Sequence, residues 1–303
     1  MNAIAKAIDH LSDSANSEGL RVSLPVSGNA LSIGTGFEAK SFRATELTAA
    51  MDPLVMVDHY VMTESTFGVH PHAGMSAVSL LFEDGEGRFH NRDSLGNNFD
   101  LQPGDLYWLK AGSGALHDEA PRPGSRIHGL QVFVNLPQRN RHDAPDSLLV
   151  RRADMPVISG DNYRVHVALG SSNGLTGKSA LDSSMTILDG HLSGPGKFSH
   201  RIGAHRNVWI HAIEGDLTVS AEGSRYDLKH GEALTVSSPT HGPAAEIVLQ
   251  SRASQTTHFA LFDAEPLDEP YVQQGPLVMG SSAEIEAAQA AYAAGRFGTI
   301  EQN

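Results

Sequence analysis

The sequence predicts an all-β protein made of two tandem β-barrels, with a short helix near its C-terminal end. Short runs rich in valine, isoleucine, leucine, phenylalanine and tyrosine recur along the 303 residues, and 30 glycines and 15 prolines are scattered among them. Strands of this length at such spacing are typical of β-sandwiches and barrels. Strands do not alternate with helices, so we expect no nucleotide-binding parallel sheet.

A repeated pattern in the two halves of the chain predicts two copies of one barrel. Residues 80–114 contain LLFEDGEGRFH and QPGDLYWLKAGSG, and residues 210–240 contain IHAIEGDLTVS and KHGEALTVSSPT. Each half shows a strand, a glycine turn, a strand, a loop, a second turn (PGD or HGE) and a further strand. We place the boundary between about 137 and 160, with an N-terminal metal-binding barrel at 20–140 and a C-terminal barrel at 155–303.

One helix is predicted within the second domain, at 281–298. Ser281 and Glu284 form a capping-box pattern, alanines fill the middle, and Gly295 stands where a helix would end. A helix this short needs packing to be stable, so we expect it to dock on a barrel.

Composition limits the partners of the chain. The formal net charge is −13 and the isoelectric point lies near 5.6, whereas binding to nucleic acids or anionic membranes depends on lysine and arginine. We therefore expect no direct nucleic-acid partner and no membrane partner. The basic stretch at 136–142 is interpreted as a solvated linker.

The absence of cysteine excludes several kinds of site. Disulfides, thiolate zinc sites, iron–sulfur clusters and thiol nucleophiles all need this residue. The first 19 residues lack the continuous apolar core of a signal peptide, and no run of about 18 apolar residues predicts a membrane span. We expect a cytoplasmic location, which suits a chain without disulfides.

Two pairs of potential metal ligands lie in the first half. His70 and His72 are two residues apart, and so are His117 and Glu119, which follow the PGD turn. Residues i and i+2 of an extended chain point to the same face. An isolated His-x-His pair is often a surface feature, but two such pairs beside strands of one barrel can meet inside it. Three imidazoles and one carboxylate suit Fe, Mn, Ni, Cu or Zn.

The chain resembles the pirin family of two-barrel proteins within the cupin superfamily. The resemblance implies a jelly-roll barrel in each half and iron in the N-terminal barrel, with the family's ligands carried over onto His70, His72, His117 and Glu119. The matching motifs are HPHAG (70–74), HNRDSLGN (90–97), PGDLYWLKAGSGALHDE (103–119), HGLQVFVNLP (128–137) and EPYVQQGPLVMGSSAEI (269–285).

The first of these motifs departs from the family pattern. Family members usually read HPHRGFET where this chain reads HPHAGMSA, so Ala73 replaces an arginine and Ser76 replaces a glutamate. General cupins often take their carboxylate ligand there, and a serine cannot supply one. Glu119 is then the only carboxylate of the motif, and we expect an altered pocket.

The second half retains only part of the ligand set. Measured from its turns, the positions equivalent to the four ligands hold two retained residue types and two lost ones, so we expect a structural second barrel and one divalent metal per chain. Of the histidines nearby, we interpret His211 as a core or turn residue, although three of them together could rebuild a site. The equivalent positions are His200, Ile202, Ala244 and Glu246, and the nearby histidines are His205, His211 and His241.

The resemblance implies quercetin 2,3-dioxygenase activity with Fe(II), and the ligand types leave Zn, Ni, Mn or Cu open. On this hypothesis a flavonol binds the metal through its 3-hydroxyl and carbonyl oxygens, and Glu119 takes the hydroxyl proton. The flavonolate then reacts with dioxygen and loses carbon monoxide. Met75, Trp108 and Phe133 are candidates for an apolar wall of the substrate pocket, although they would serve equally as barrel-core residues.

Two other functions stay open at this point. The resemblance also covers proteins that act by binding a protein partner, where the metal and its redox state would act as a switch. A zinc or nickel cupin with isomerase or hydrolytic activity is the third hypothesis. Oxygen consumption would favour the first function, a metal-dependent partner without turnover the second, and activity without oxygen the third.

Overall fold

A computed structural model describes residues 5–6, 19–44, 48–252 and 255–301. Most of the N-terminal stretch that we do not interpret as a signal peptide lies outside these residues. Within them most of the regular structure is β-strand, in two halves of similar construction. The prediction of an all-β fold with one short α-helix is confirmed.

The first half is formed by two antiparallel sheets. A large sheet has the strand order β14-β11-β8-β13-β6-β5-β4, and a small sheet has the order β10-β9-β12-β7. Up to this point of the chain the strands are β1 (Ala5–Lys6), β2 (Arg21–Val22), β3 (Val26–Ser27), β4 (Asn29–Ile33), β5 (Phe37–Arg43), β6 (Leu54–Met62), β7 (His70–His72), β8 (Met75–Leu81), β9 (Phe89–Asp93), β10 (Asn98–Leu101), β11 (Leu106–Lys110), β12 (Ala115–Pro121), β13 (Ile127–Asn135) and β14 (Asp146–Val150).

The second half repeats this plan. Its large sheet has the order β15-β16-β19-β26-β21-β24-β2, with β3 also paired to β24, and its small sheet has the order β20-β25-β22-β23. The strands of this part are β15 (Val157–Gly160), β16 (Tyr163–Leu169), β17 (Ser171–Ser172), β18 (Leu175–Thr176), β19 (Met185–Ser193), β20 (Lys197–Ile202), β21 (Asn207–Glu214), β22 (Leu217–Ala221), β23 (Ser224–Leu228), β24 (Glu232–Ser237), β25 (Ala245–Ser251), β26 (Thr256–Ala264), β27 (Val272–Gln274) and β28 (Leu277–Met279).

Helical structure is sparse in the described part of the chain. Short 3-10 helices occupy Thr48–Met51, Gln138–Asn140 and Arg152–Asp154, and α1 spans Ser282–Ala293. Ser281 caps α1 by accepting a hydrogen bond from the Glu284 backbone N–H, as the capping-box pattern predicts. Among these elements no helix has both the length and the apolar character that a membrane-spanning helix needs.

The cores follow from the alternation of side chains along the strands. In β6 and β13 one set of alternate residues faces the interior of the first half, and the other set faces the second half. The two large sheets therefore pack back to back, and Trp108 and Trp209 both lie in the apolar layer between them. Separate apolar clusters fill the inside of each half.

Segments near each end of the chain pack against the half that is more distant in sequence. Strands β2 and β3 pair with β24 of the second half before β4 joins the first. At the other end, β27 and β28 form a hairpin against the first half, where the Val278 N–H donates to the Ala73 carbonyl at 3.0 Å. Helix α1 packs in the same cluster as Ala73 and Leu116. The predicted second domain includes this helix, whose buried face packs against residues of the first half. The boundaries 20–140 and 155–303 stay a prediction.

Candidate metal centre

The two sequence pairs meet because their strands are neighbours. His70 and His72 lie on β7, while His117 and Glu119 lie on β12. These strands are antiparallel partners, and His117 stands directly opposite His70. Since i and i+2 share a face, all four side chains line one cavity inside the first half.

Three imidazoles converge at the end of these strands. The Nε2 atom of His117 lies 2.9 Å from Nε2 of His72 and 2.8 Å from Nε2 of His70. The three ring planes cross at 64° to 70°. Crossed rings can direct their in-plane lone pairs toward one point, which is what a shared metal ion needs.

Hydrogen bonds to the backbone fix the tautomers of two of these histidines. His70 Nδ1–H donates to the Gly68 carbonyl at 2.8 Å, and His72 Nδ1–H donates to the Pro276 carbonyl at 3.1 Å. Their Nε2 atoms therefore carry lone pairs. Burial lowers the pKa of His72 to about 3 and also lowers the pKa of His70 and His117. Neutral imidazoles anchored in this way are the usual form of histidine ligands.

The spacing of these nitrogens fits a divalent metal. Two nitrogens that bind one ion at about 2.1 Å and at right angles lie about 3.0 Å apart, close to the distances between the Nε2 atoms of His117 and its two neighbours. The Nε2 atoms of His70 and His72 both carry lone pairs and lie this close to His117 Nε2, so the cluster needs a cation or a shared proton between them. The histidine triad therefore has the spacing and the ligand type that a divalent metal needs.

Glu119 lies beside the three histidines, but its carboxylate is not part of the group of close ligand atoms that these histidines form. Its Oε1 accepts a hydrogen bond from Ser79 Oγ at 2.7 Å, and its Oε2 lies 4.0 Å from His117 Nδ1. Burial raises the pKa of Glu119 to about 7, the Ser79 hydrogen bond opposes this, and the charges of Asp118 and Asp93 add to it. The roles of Glu119 as ligand and base stay predictions.

The cavity has a volume of about 470 Å³, within the range of small-molecule sites. Its aromatic lining consists of Phe37, Tyr60, Phe67, Phe89 and Phe133. One of these, Phe133, is among the three residues that we predicted for an apolar wall, and its ring packs edge-on against His72 at 5.2 Å between centroids.

The other two predicted wall residues lie elsewhere. Trp108 is on β11 with its side chain toward the second half, because its neighbours Tyr107 and Leu109 face the interior of the first half. Met75 is buried with Val55 and Val278 under the C-terminal hairpin. Neither residue lines the cavity.

The departures at positions 73 and 76 also lie outside the cavity lining. Ala73 is fully buried against the C-terminal hairpin, where it forms a bridge with Leu277. Ser76 is fully buried and shares its face of β8 with Val78, which is turned toward the second half. We expected an altered pocket at these positions, and the structure places them behind its wall.

The equivalent positions in the second half form no convergent set in the described chain. His200 hydrogen-bonds to Asp263 at 3.1 Å and to Ser172 at 2.9 Å. The nearby His211 has no exposed surface and belongs to the layer between the halves.

A second cluster of possible ligands was missed by the sequence analysis. Asp189, His191 and His258 place one ligand atom each within 4.8 Å of one another. Asp189 and His191 repeat the i, i+2 pattern, which is the signal that could have revealed them. However, the two imidazoles are stacked at 11° with centroids 4.1 Å apart, so their in-plane lone pairs cannot meet. His258 Nε2 lies 2.5 Å from Asp189 Oδ1, and this geometry fits a hydrogen-bonded pair better than a metal site.

Comparison with known proteins identifies the family. The family model Pirin matches residues 32–134, and the Pirin C-terminal cupin domain matches residues 187–298. A Vibrio cholerae protein named as a candidate quercetin 2,3-dioxygenase is 30% identical over 77% of this chain and 80% of its own length. The chain belongs to the pirin family. Mouse pirin is 29% identical over 88% of this chain and 90% of its own.

Solved structures support the fold of this pirin. A quercetin 2,3-dioxygenase from Acinetobacter baumannii superposes with a TM-score of 0.80 at 24% identity, covering 93% of this chain and all of that one. A bacterial pirin from Escherichia coli in complex with nickel(II) has a TM-score of 0.61 at 18% identity, covering 82% and 99%. Identities at this level show the fold, and the two halves are two cupin domains.

Proposed function

We propose that this pirin is a metal-dependent dioxygenase that acts on a flavonol such as quercetin. The observation that carries the proposal is the position of three neutral, convergent imidazoles in the wall of an aromatic cavity, with Glu119 beside them. The name of the Vibrio cholerae relative supports the same reaction.

His70, His72 and His117 would hold the metal, with Glu119 as a fourth ligand before substrate arrives. We propose iron, because imidazole and carboxylate ligands with open positions suit Fe(II), although Zn, Ni, Mn and Cu bind the same donor types. When bound, the metal would supply a site for two neighbouring substrate oxygens and for electron exchange with dioxygen.

Glu119 is proposed as the base that takes the substrate's hydroxyl proton. A general base must stand within reach of the proton that it takes, and Glu119 shares its face of β12 with His117. Ser79 donates a hydrogen bond to Oε1, and Oε2 lies 4.0 Å from His117 Nδ1. We propose Oε2 as the oxygen that receives the proton.

The rest of the cavity would orient the substrate and exclude water. Phe133 packs against the ring of His72, and Phe67 lies 6.1 Å from the ring of His70 and edge-on to Phe37 at 5.1 Å. These rings offer flat apolar surfaces beside the triad, and a planar aromatic ligand buries its faces against such surfaces.

Metal analysis combined with oxygen uptake tests this function. The purified chain should contain one metal equivalent, and the iron-loaded protein should consume oxygen with flavonols in a panel that also contains catechols. A metal-loaded protein that consumes no oxygen with any flavonol would contradict the proposal. If that protein instead retained a protein partner only when metal-loaded, the regulatory hypothesis would replace it.

A further inference from the structure

Tyr60 carries a buried hydroxyl without a partner. This residue of β6 lines the cavity, is 2% exposed, and stacks on Phe37 at 5.6 Å between ring centroids. Its Oη atom makes no hydrogen bond to any described residue. A buried polar group without a partner is costly, and native structures retain few of them.

Gln131 leaves a second polar atom unsatisfied in the same cavity. Its Oε1 lies 3.0 Å from Ser79 Oγ, while its Nε2 is buried and has no partner in the described chain. Ser79 has one hydroxyl hydrogen, which serves either Glu119 or Gln131. If the Gln131 amide turns over, its nitrogen donates to Ser79 and its oxygen becomes the unpaired atom. In both orientations one amide atom is left for a ligand.

Strand register places these atoms along a polar row in an apolar wall. Asp58, Gln131 and Ser79 stand directly opposite one another on β6, β13 and β8. Ser79 then reaches Glu119 on the small sheet through its hydrogen bond. Tyr60 follows Asp58 by two residues on the same face of β6. The row therefore leads from the side of the cavity at β6 to the side that holds the triad.

We propose that Tyr60 and Gln131 form a hydrogen-bonding subsite for a planar aromatic ligand with oxygen atoms attached to its rings. In this subsite the Tyr60 hydroxyl donates a hydrogen bond to one of these oxygens. The subsite rests on the proposed function and adds two residues that would orient its substrate. Aromatic walls favour a flat ring system, and the unpaired hydroxyl selects an oxygenated ring over a plain hydrocarbon. Burial, and next the charge of Glu119, raise the pKa of Tyr60 well above its usual value, so its hydroxyl stays a donor.

An unpaired donor has a signature that a purely structural tyrosine lacks. Tyr60→Phe keeps the stacked ring and removes the orphaned hydroxyl, so the free protein should melt at the same or a higher temperature. Ligand affinity should nevertheless fall by about 2- to 10-fold, the range for a hydrogen bond between uncharged groups. A loss of ligand affinity without a loss of stability identifies a group whose role is to bind a ligand.

Quercetin is the probe, added without oxygen to iron-loaded wild type, Tyr60→Phe, Gln131→Met and Tyr271→Phe. Tyr271 is a half-buried tyrosine that does not line the cavity, so its variant should bind like the wild type. Binding is measured by the absorbance change of quercetin, and stability by melting. Weaker binding by Tyr60→Phe and Gln131→Met, with unchanged melting of Tyr60→Phe, supports the subsite.

Two results would overturn the subsite. One is that the wild type binds no quercetin, and the other is that Tyr60→Phe binds it as tightly as the wild type. The dioxygenase proposal fails separately. If oxygen is admitted and bound quercetin is not consumed, while Tyr60→Phe still binds it more weakly, the oxidation is contradicted and the subsite is supported.

Discussion

His59 and His128 face one another on the back of the first domain, with their Nε2 atoms 2.7 Å apart. They are the middle of a hydrogen-bonded chain that crosses between the two domains. At one end His211 lies 2.9 Å from His59 and 3.0 Å from the Glu232 carbonyl. At the other end His128 Nδ1 lies 2.7 Å from Asp84.

Counting hydrogens shows that this row of hydrogen-bonded groups carries one extra proton. It contains four hydrogen bonds, and both of its end groups, the Glu232 carbonyl and the Asp84 carboxylate, accept. Three neutral imidazoles carry three hydrogens, so a fourth proton is needed. Burial and neighbouring histidines lower the pKa of His59 far below its usual value, and burial lowers that of His211 to about 3. His59 and His211 are therefore neutral.

We predict that His59 and His211 are neutral at pH 7, with hydrogen on Nδ1. Long-range ¹H–¹⁵N correlation spectra of the histidine side chains distinguish neutral from doubly protonated rings and the two neutral tautomers. Asp84→Asn replaces the terminal acceptor by an amide that can donate, so the hydrogen-bonded chain should lose its fourth proton in that variant. Asp146→Asn, at an exposed site, should leave the spectrum unchanged. A doubly protonated His59 or His211 in the wild type would contradict the prediction.

Acid should destabilise the metal-free protein. His72 and His211 each have a pKa of about 3 in the folded protein, mainly because of burial, against about 6.5 when unfolded. Between these values the unfolded chain binds the protons first, so stability is present above about pH 6.5 and is lost as the pH falls toward 3. Each such histidine contributes roughly 1.4 kcal/mol per pH unit.

Denaturant unfolding at pH 7, 6 and 5 measures this loss. His211→Asn should reduce the pH slope by about one proton, whereas His241→Asn, at an exposed position, should leave it unchanged. Equal slopes for His211→Asn and the wild type would show that His211 is not buried in its neutral form.

Removing one imidazole should remove the metal. His72→Ala deletes a nitrogen that lies 2.9 Å from His117 Nε2 and is anchored by Pro276. We expect metal content near zero and no turnover. His241→Ala, which removes an exposed histidine, should retain the full metal content. Stoichiometric metal in purified His72→Ala would exclude this residue as a ligand.

Glu119→Gln should separate metal binding from turnover. The amide keeps the size of the side chain and an oxygen, and the three imidazoles remain, so we expect part of the metal to stay bound. Loss of the base should lower flavonol oxidation by about 100- to 10,000-fold. Near-normal oxidation by the metal-loaded variant would contradict the proposed proton transfer.

Gly74→Ala should weaken the metal centre through the C-terminal hairpin. A Cβ there would lie 1.9 Å from the Val278 carbonyl oxygen, at φ +71°. Gly34 has a similar φ of +60° and nothing within 4 Å, so Gly34→Ala isolates the backbone cost of about 1–2 kcal/mol. We expect a larger loss of melting temperature in Gly74→Ala and a lower metal affinity, because the hairpin carries the Pro276 carbonyl. Equal effects of the two variants would show that this contact is dispensable.

The sequence predicts residues on one strand better than contacts between strands. The i, i+2 rule places His70 with His72 and His117 with Glu119, because it depends only on local backbone geometry. The rule does not tell which face of β11 points to the interior of the barrel. It therefore could not show that Trp108 lies between the domains and not in the cavity.

Polar contacts between the two domains could not be predicted. His59 and His211 are 152 residues apart and meet only because two large sheets pack back to back. The unpaired state of Tyr60 likewise depends on every neighbour around its hydroxyl, and no local pattern encodes it. The family resemblance supplied the fold and the ligand set, but not this chain's polar row.

The hydrogen bond from His72 to Pro276 has a consequence for the order of synthesis. The ribosome makes His70 to Glu119 more than 150 residues before the hairpin that anchors His72 and closes the cavity. At roughly 5–20 residues per second, this interval lasts on the order of ten seconds. The candidate ligands emerge early, but the pocket around them is complete only after the hairpin has been made. A metal held by the complete site would therefore be loaded after synthesis of the hairpin.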